Sequence, residues 1–267
     1  MSPDDKIAMS NGFARVEIDG HRADVILSRP DKRNAMSRAV IADLTEAFDR
    51  VDDHEEVRAV ALLGEGPVFC AGMDLPMMRD GDRETHEEVG EELRALFDRI
   101  DGFRCPVVVG IKRAAVAGGF ELTLPADFRI IGSDASYGVV EVKLGVFPSG
   151  GSTQRLPRLV GLARAKELVL TGEYIDPEEA ERIGLVNEVC PDEEVDGRAR
   201  DFADTLTENA PLGMERALRA FDHALDVPLD DGLDVEGYLA SPLYETHDRK
   251  EGFSARIEGR EPEFEGR

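Results

Sequence analysis

Residues 116–156 read VAGGFELTLPADFRIIGSDASYGVVEVKLGVFPSGGSTQRL. An apolar PVVVGIK run precedes the stretch, a helix-like FELTL follows Gly118-Gly119, and DFRIIG returns to strand-like composition. Strands alternating with short helical segments argue for an α/β core. The same stretch holds two glutamates, Glu121 and Glu141, each close to a glycine-rich turn in otherwise apolar sequence. Partial burial moves a carboxyl pKa toward neutrality, where proton transfer is efficient, so this is a setting for paired acid/base work. Gly118-Gly119 ahead of a helix adds bare backbone N–H groups able to receive a developing negative charge.

Outward from that centre, the order of elements repeats. FARVEI, a turn at Asp19-Gly20 and RADVILS form a hairpin signal, and Ser37 is placed to N-cap a helix in which Val40, Leu44, Phe48 and Val51 recur at helical spacing. VRAVALLG then reads as a strand. Beyond Leu156 the chain reads as helices: GLARAKELVLTG, a short PEEAERIGL before VNEVC, and long amphipathic runs over 192–225 and 241–257. This divides the chain into an α/β core with the active site, residues 1–195, and a C-terminal helical region, residues 196–267. A lone core would leave the apolar stripe of those helices exposed, which is a physical reason for oligomers.

Composition narrows the function. The 267 residues, 42% hydrophobic, are enough to bury a large core. No apolar run reaches the roughly 18 residues that span a bilayer, and MSPDDKIAMS has no secretory apolar segment, so a soluble cytoplasmic protein without membrane partners is expected. Cys70, Cys105 and Cys190 are odd in number and lack metal-ligand spacing, and the histidines form no ligand pair; free thiols and no metal site are the expectation. With 56 acidic against 32 basic residues the net charge is -24, which argues against nucleic acid as a partner. Acids spread along the chain at this density fit a halophilic protein whose self-repulsion is screened by salt.

Five segments in this order, RPDKRNAM, FCAGMDL, AGGFELTLPAD, EVKLGVFPSGGSTQRLPRLVG and DRKEGFSARIEGREPEF, resemble the enoyl-CoA hydratase/isomerase (crotonase) family, and the match covers the chain from about Phe13 onward. The resemblance implies a crotonase (ClpP-like) fold, a spiral of ββα units with a C-terminal helical part, assembled as a homotrimer or dimer of trimers. It implies an oxyanion hole for a thioester carbonyl made by the backbone amides of Met73 and Gly118. Glu121 and Glu141 fall on the two catalytic glutamate positions, Glu121 mainly activating water and Glu141 protonating the α-carbon of a 2-enoyl-CoA. Arg33, with Ala71, Asp74 and Leu75 of the AG loop, is implied to lie along the acyl-CoA substrate, which is the ligand; no separate cofactor is implied. Residues 74–86, with Met77 and Met78, are implied to shape the acyl pocket, although both methionines also read as core fillers. The chain departs from the family at Pro76, where a lysine is common, and at Arg256 and Gly259, where some hydratases present an aromatic residue and a lysine to coenzyme A. The expected activity is enoyl-CoA hydration of the β-oxidation type in fatty acid metabolism. Its rivals are a double-bond isomerase, which needs one proton-shuttling carboxylate, another acyl-CoA-transforming relative, and a non-catalytic acyl-CoA-binding homologue, for which loss of one glutamate is the expected sign.

Overall fold

The computed structural model describes residues 6–267. The hairpin forms as the Asp19-Gly20 turn predicts: β2 (Ala14–Asp19) pairs antiparallel with β3 (Arg22–Leu27), and β1 (Lys6–Ala8) adds to the outer edge. From β3 the sheet continues in parallel through β4 (Ala59–Gly64), β5 (Val107–Ile111), β7 (Phe128–Gly132) and β9 (Glu188–Cys190), giving a seven-stranded sheet. Parallel neighbours require crossovers, and these are supplied by α1 (Arg38–Asp52), α2 (Leu75–Asp80) with α3 (Arg83–Asp101), and α4 (Gly118–Glu121). A second, two-stranded parallel sheet of β6 (Ala114–Val116) and β8 (Ser136–Gly138) stands apart from the ladder of the first.

The central strands are buried on both faces, and their alternation decides what each face meets. Val60 and Leu62 of β4 join the large core with Val40, Leu44, Phe48 and Val51 of α1. Ala59, Ala61 and Leu63 of the same strand point the other way, against Val195, Ala199 and Ala203 of α8 (Val195–Thr207). Small residues on both sides let this helix lie close on the sheet. The division placed after residue 195 therefore falls at the start of a helix that seals the core, and the helices that stand off the core begin with α9 (Pro211–Phe221).

Further helices are α5 (Ser152–Val160), α6 (Leu162–Thr171), α7 (Pro177–Arg182), α9 (Pro211–Phe221), α10 (Leu229–Ala240) and α11 (His247–Glu258). The run expected over 192–225 is thus two helices. Pro211 starts the second, since its ring blocks continuation of the first. The run expected over 241–257 opens as a 3-10 turn, and α11 begins only where the Thr246 hydroxyl accepts a hydrogen bond from the Arg249 amide, 3.1 Å. The helix-like FELTL contributes only its first two residues to the single turn of α4, which starts on the glycines. Ser37 occupies the N-cap of α1, but its side chain makes no capping bond.

Helices α9 and α10 contain no fully buried residue. Phe221, Leu229, Leu233, Tyr238, Phe253 and Ile257 are more than half exposed, which realises the apolar stripe read from the sequence. No helix among the described residues is long and apolar enough to cross a membrane. All three cysteines are buried and free.

Candidate active site

Both glutamates hang from the small sheet. Strands β6 and β8 run in register, Ala115 opposite Tyr137 and Val116 opposite Gly138, and the Ala117 amide donates to the Gly138 carbonyl at 2.9 Å. Parallel strands end on the same side. The chain leaving β6 therefore reaches Glu121 at the end of α4, while the chain leaving β8 reaches Glu141 at the start of a 3-10 turn (Glu141–Leu144). Glu121 is 4% exposed and Glu141 8% exposed. Burial pushes the Glu121 carboxyl up to about 7; the Glu141 charge pushes the same way, and donors from Ser152 and Gly150 oppose it. Burial also raises Glu141, whose two carboxylate oxygens have no hydrogen-bond partner in the protein. Each carboxyl is thus biased toward its protonated form, Glu121 by burial and by the neighbouring Glu141 charge, Glu141 by burial.

The oxyanion-hole amides predicted at Met73 and Gly118 come together through close backbone packing. The Cys70 amide donates to the Ala114 carbonyl at 3.0 Å, and Met36 grips the other side by donating to the Gly72 carbonyl and accepting from the Asp74 amide, both at 2.8 Å. A Cβ on Gly72 would come within 2.7 Å of the Val116 carbonyl and 3.7 Å of the Gly118 nitrogen; one on Gly119 would stand 2.5 Å from the Cys70 carbonyl. Only glycine lets the two loops approach so closely. Among the described residues neither the Met73 nor the Gly118 amide is engaged by a backbone carbonyl. Gly118 is the first residue of α4, where an N–H has no partner inside the helix. Between β6 and α4, Ala117 adopts φ 52 and ψ -124, a conformation that non-glycine residues rarely take. Such strain is characteristic of functional turns.

A third segment completes the site. Gly150 and Gly151 lead into α5, and Ser152, its first residue, donates its amide to Glu121 Oε1 at 3.2 Å. A Cβ on Gly150 would meet both Glu121 Oε2 and the Phe97 ring edge at 2.8 Å, and Gly151 has φ +120. On the outer side of this thin turn lies a cleft of about 890 Å3, walled by Leu124, Phe147, Leu159 and Phe221, with Asp98 and Arg155 among its polar groups.

The residues implied for coenzyme A divide. Arg33 is exposed, in a left-handed conformation with φ 51, and its carbonyl accepts from the Ala71 amide at 3.0 Å, so these two adjoin. Leu75 is 66% exposed at the start of α2. Asp74 is spent internally: its carboxylate caps α2 by accepting from the Met77 amide at 3.3 Å and pairs with Arg29 at 2.8 Å, which holds its pKa below the ordinary value. These bonds fix the loop that carries Met73. Met77 packs against the core, consistent with the core-filler reading.

Sequence reasoning missed the support beneath α4. The buried guanidinium of Arg129 donates to the carbonyls of Ala126 at 2.6 Å, Leu185 at 2.7 Å and Thr123 at 3.2 Å. The Tyr137 hydroxyl and Thr123 Oγ1 are 2.9 Å apart, and the Phe120 and Tyr137 rings pack at 4.4 Å. A lone arginine inside the apolar FRIIG strand was the available signal, since an arginine is buried only when its donors are met. Cys70 lies under the same loops, where burial pushes its thiol up to about 12. A thiol so hard to ionise is no nucleophile.

With this geometry in hand, comparisons with known proteins agree along the chain. A family model for enoyl-CoA hydratase/isomerase matches residues 18–267. An enoyl-CoA isomerase/hydratase of Mycosarcoma maydis is 34% identical over 252 residues, covering 91% of this chain and 92% of that protein. A probable mitochondrial enoyl-CoA hydratase of Arabidopsis thaliana is 37% identical over 245 residues, covering 91% of this chain and 81% of its own. The crystal structure of an enoyl-CoA hydratase from Bacillus anthracis superposes with a TM-score of 0.92 at 33% identity, covering 96% of this chain and all of that one. The fold is the crotonase fold.

Proposed function

The chain belongs to the enoyl-CoA hydratase/isomerase family, and on that premise we propose that it is a hydro-lyase adding water to a trans-2-enoyl-CoA to give the 3-hydroxyacyl-CoA. The observation that carries this reading is the pair of buried carboxyls, Glu121 and Glu141, suspended from adjacent parallel strands beside two unengaged amides. The thioester carbonyl accepts from the Met73 and Gly118 amides, which together polarise the conjugated double bond. Ionised Glu121 takes a proton from water as its oxygen bonds to C3. The electrons of the double bond move toward the thioester oxygen, where each amide contributes on the order of 3 kcal/mol to the developing enolate. Glu141, protonated, then gives its proton to C2. The pair ends with the proton on the other carboxyl and resets by exchange with solvent.

Hydration of crotonyl-CoA, followed as loss of enoyl-thioester absorbance, tests the proposal across short, long and aryl acyl groups. No turnover on any of them, with the thioester bound, would overturn it in favour of an acyl-CoA-binding role. A second reading is favoured by one feature: both oxygens of Glu141 lack partners, leaving that carboxyl free to move a proton between C2 and C4 of a 3-enoyl-CoA. Isomerisation is the activity to assay beside hydration.

Two properties of the proposed enzyme follow from its surface. The exposed apolar side chains of α9 to α11 support self-association, the family resemblance implies a trimer or dimer of trimers, and sedimentation in high salt should give a mass that is a multiple of three chains. An active monomer would refute this. The net charge of -24 supports a salt-loving protein, and the three free cysteines support a reducing, cytoplasmic setting. Its melting temperature should fall as KCl is diluted from molar to millimolar, and an unchanged value would sink the idea.

A further inference from the structure

Ser152 is fully buried at the first position of α5, and its hydroxyl has no hydrogen-bond partner of normal geometry. A hydroxyl hidden from water without a partner is a net cost to folding. It is not randomly placed: the amide of the same residue bonds to Glu121 Oε1, and the hydroxyl stands close enough to that carboxylate to favour its ionised form. At the first helical position there is no carbonyl one turn back within α5 for the hydroxyl to bond instead. We propose that Ser152 is a positioning residue for Glu121: its amide holds Oε1, and its hydroxyl turns onto the same carboxylate as a second donor whenever Glu121 is ionised. This rests on the reading of Glu121 as the base, and adds what keeps it one despite its burial.

The charged group facing Glu121 is Glu141, from the 3-10 turn, which opposes its ionisation. Arg155, further along α5, is turned to Asp98 and Asp101 of α3, at 3.0 and 3.2 Å. Arg129 and Asp127 bond to backbone behind α4, Asp127 accepting from the Val107 amide at 2.7 Å. The donors that favour the Glu121 anion therefore come from the Gly150–Ser152 turn.

The test uses the full-length protein with Glu labelled at the side-chain carboxyl carbon, the Glu121 resonance being assigned with Glu121→Gln. In Ser152→Ala its titration midpoint should move up by about one pH unit, the loss of one charge-assisted donor. The acid limb of kcat/KM for crotonyl-CoA should move with it, and kcat at pH 7 should fall about fivefold with KM unchanged, as the ionised fraction of a base titrating near 7 drops. Ser152→Thr, which keeps the hydroxyl, should titrate like the parent. An unchanged midpoint in Ser152→Ala, accompanied by a higher melting temperature, would mean that the hydroxyl is only an unpaired burden and would overturn the proposal. Should Ser152→Ala not fold, Ser152→Cys supplies a weaker donor at the same place, and a parental midpoint there counts against the role. Failure of the parent to hydrate any enoyl-CoA would remove the proposed function, while the resonance titration would still decide what Ser152 does to Glu121.

Discussion

Glu121→Gln and Glu141→Gln should each lower crotonyl-CoA hydration by roughly 10²- to 10⁴-fold, with the thioester still binding. The amide keeps the shape of the carboxyl and can still accept from the Ser152 amide, so the cradle around position 121 persists while the proton transfer is lost. The amides of Met73 and Gly118 belong to the main chain and are untouched. Since the two carboxyls pass protons within one addition, the double variant should lose much less than the product of the single losses. An isomerase separates from a hydratase in the same experiment: one glutamate would dominate, and the other substitution would leave conversion of a 3-enoyl-CoA largely intact. A Glu121→Gln protein that hydrates at the parental rate would end the mechanism.

The same substitution should make the protein more stable at alkaline pH. Burial raises Glu121 from 4.5 to about 7 in the folded chain, so the unfolded chain gives up its proton first as pH rises. The stability tied to the protonated form is fully present below about 4.5 and is lost as pH climbs through about 7. A rise of 2.5 (7 minus 4.5), at 1.36 kcal/mol per unit, corresponds to a cost on the order of 3 kcal/mol at pH 8. Glu121→Gln carries no such cost, so at pH 8 its melting temperature should lie several degrees above the parent. The gap should close as both are brought to pH 4.5. Parallel melting curves across this range would show that the carboxyl is ionised without penalty and would remove the reason for its placement as a base.

What was legible in the sequence was local. The Asp19-Gly20 turn, the helical spacing of Val40 to Val51 and the apolar setting of Glu121 and Glu141 are properties of neighbouring residues, and the structure carries them through. The pieces that escaped depend on partners far away in the chain. Asp74 reads as an exposed acid next to a binding loop until Arg29, 45 residues earlier, is seen to claim it. Arg129 reads as an anomaly in a strand until the carbonyls of Thr123, Ala126 and Leu185 are seen around it. The helix break after 207 and the start of α11 only at His247 followed from proline and capping chemistry that was present in the sequence but overridden by a continuous amphipathic pattern. The docking of α8 rests on alanines at 59, 61, 199 and 203, small residues that give a weak hydropathy signal and a strong packing one.

The backbone at Ala117 sets a limit on the chemistry the site performs. A strained residue between a strand and a helix is the support on which the serine of an unrelated class of acyl-transfer enzymes is raised, with the next amide in the chain receiving the oxyanion. Here that next amide is Gly118, and the residue so raised ends at a methyl group. A thioester carbonyl accepting from that amide finds at residue 117 a side chain with no oxygen or sulfur to attack it. On the proposed reading, the acyl–sulfur bond is spared at this residue and reactivity passes down the conjugated chain to C3, so that a missing atom, as much as the two glutamates, favours addition of water over hydrolysis.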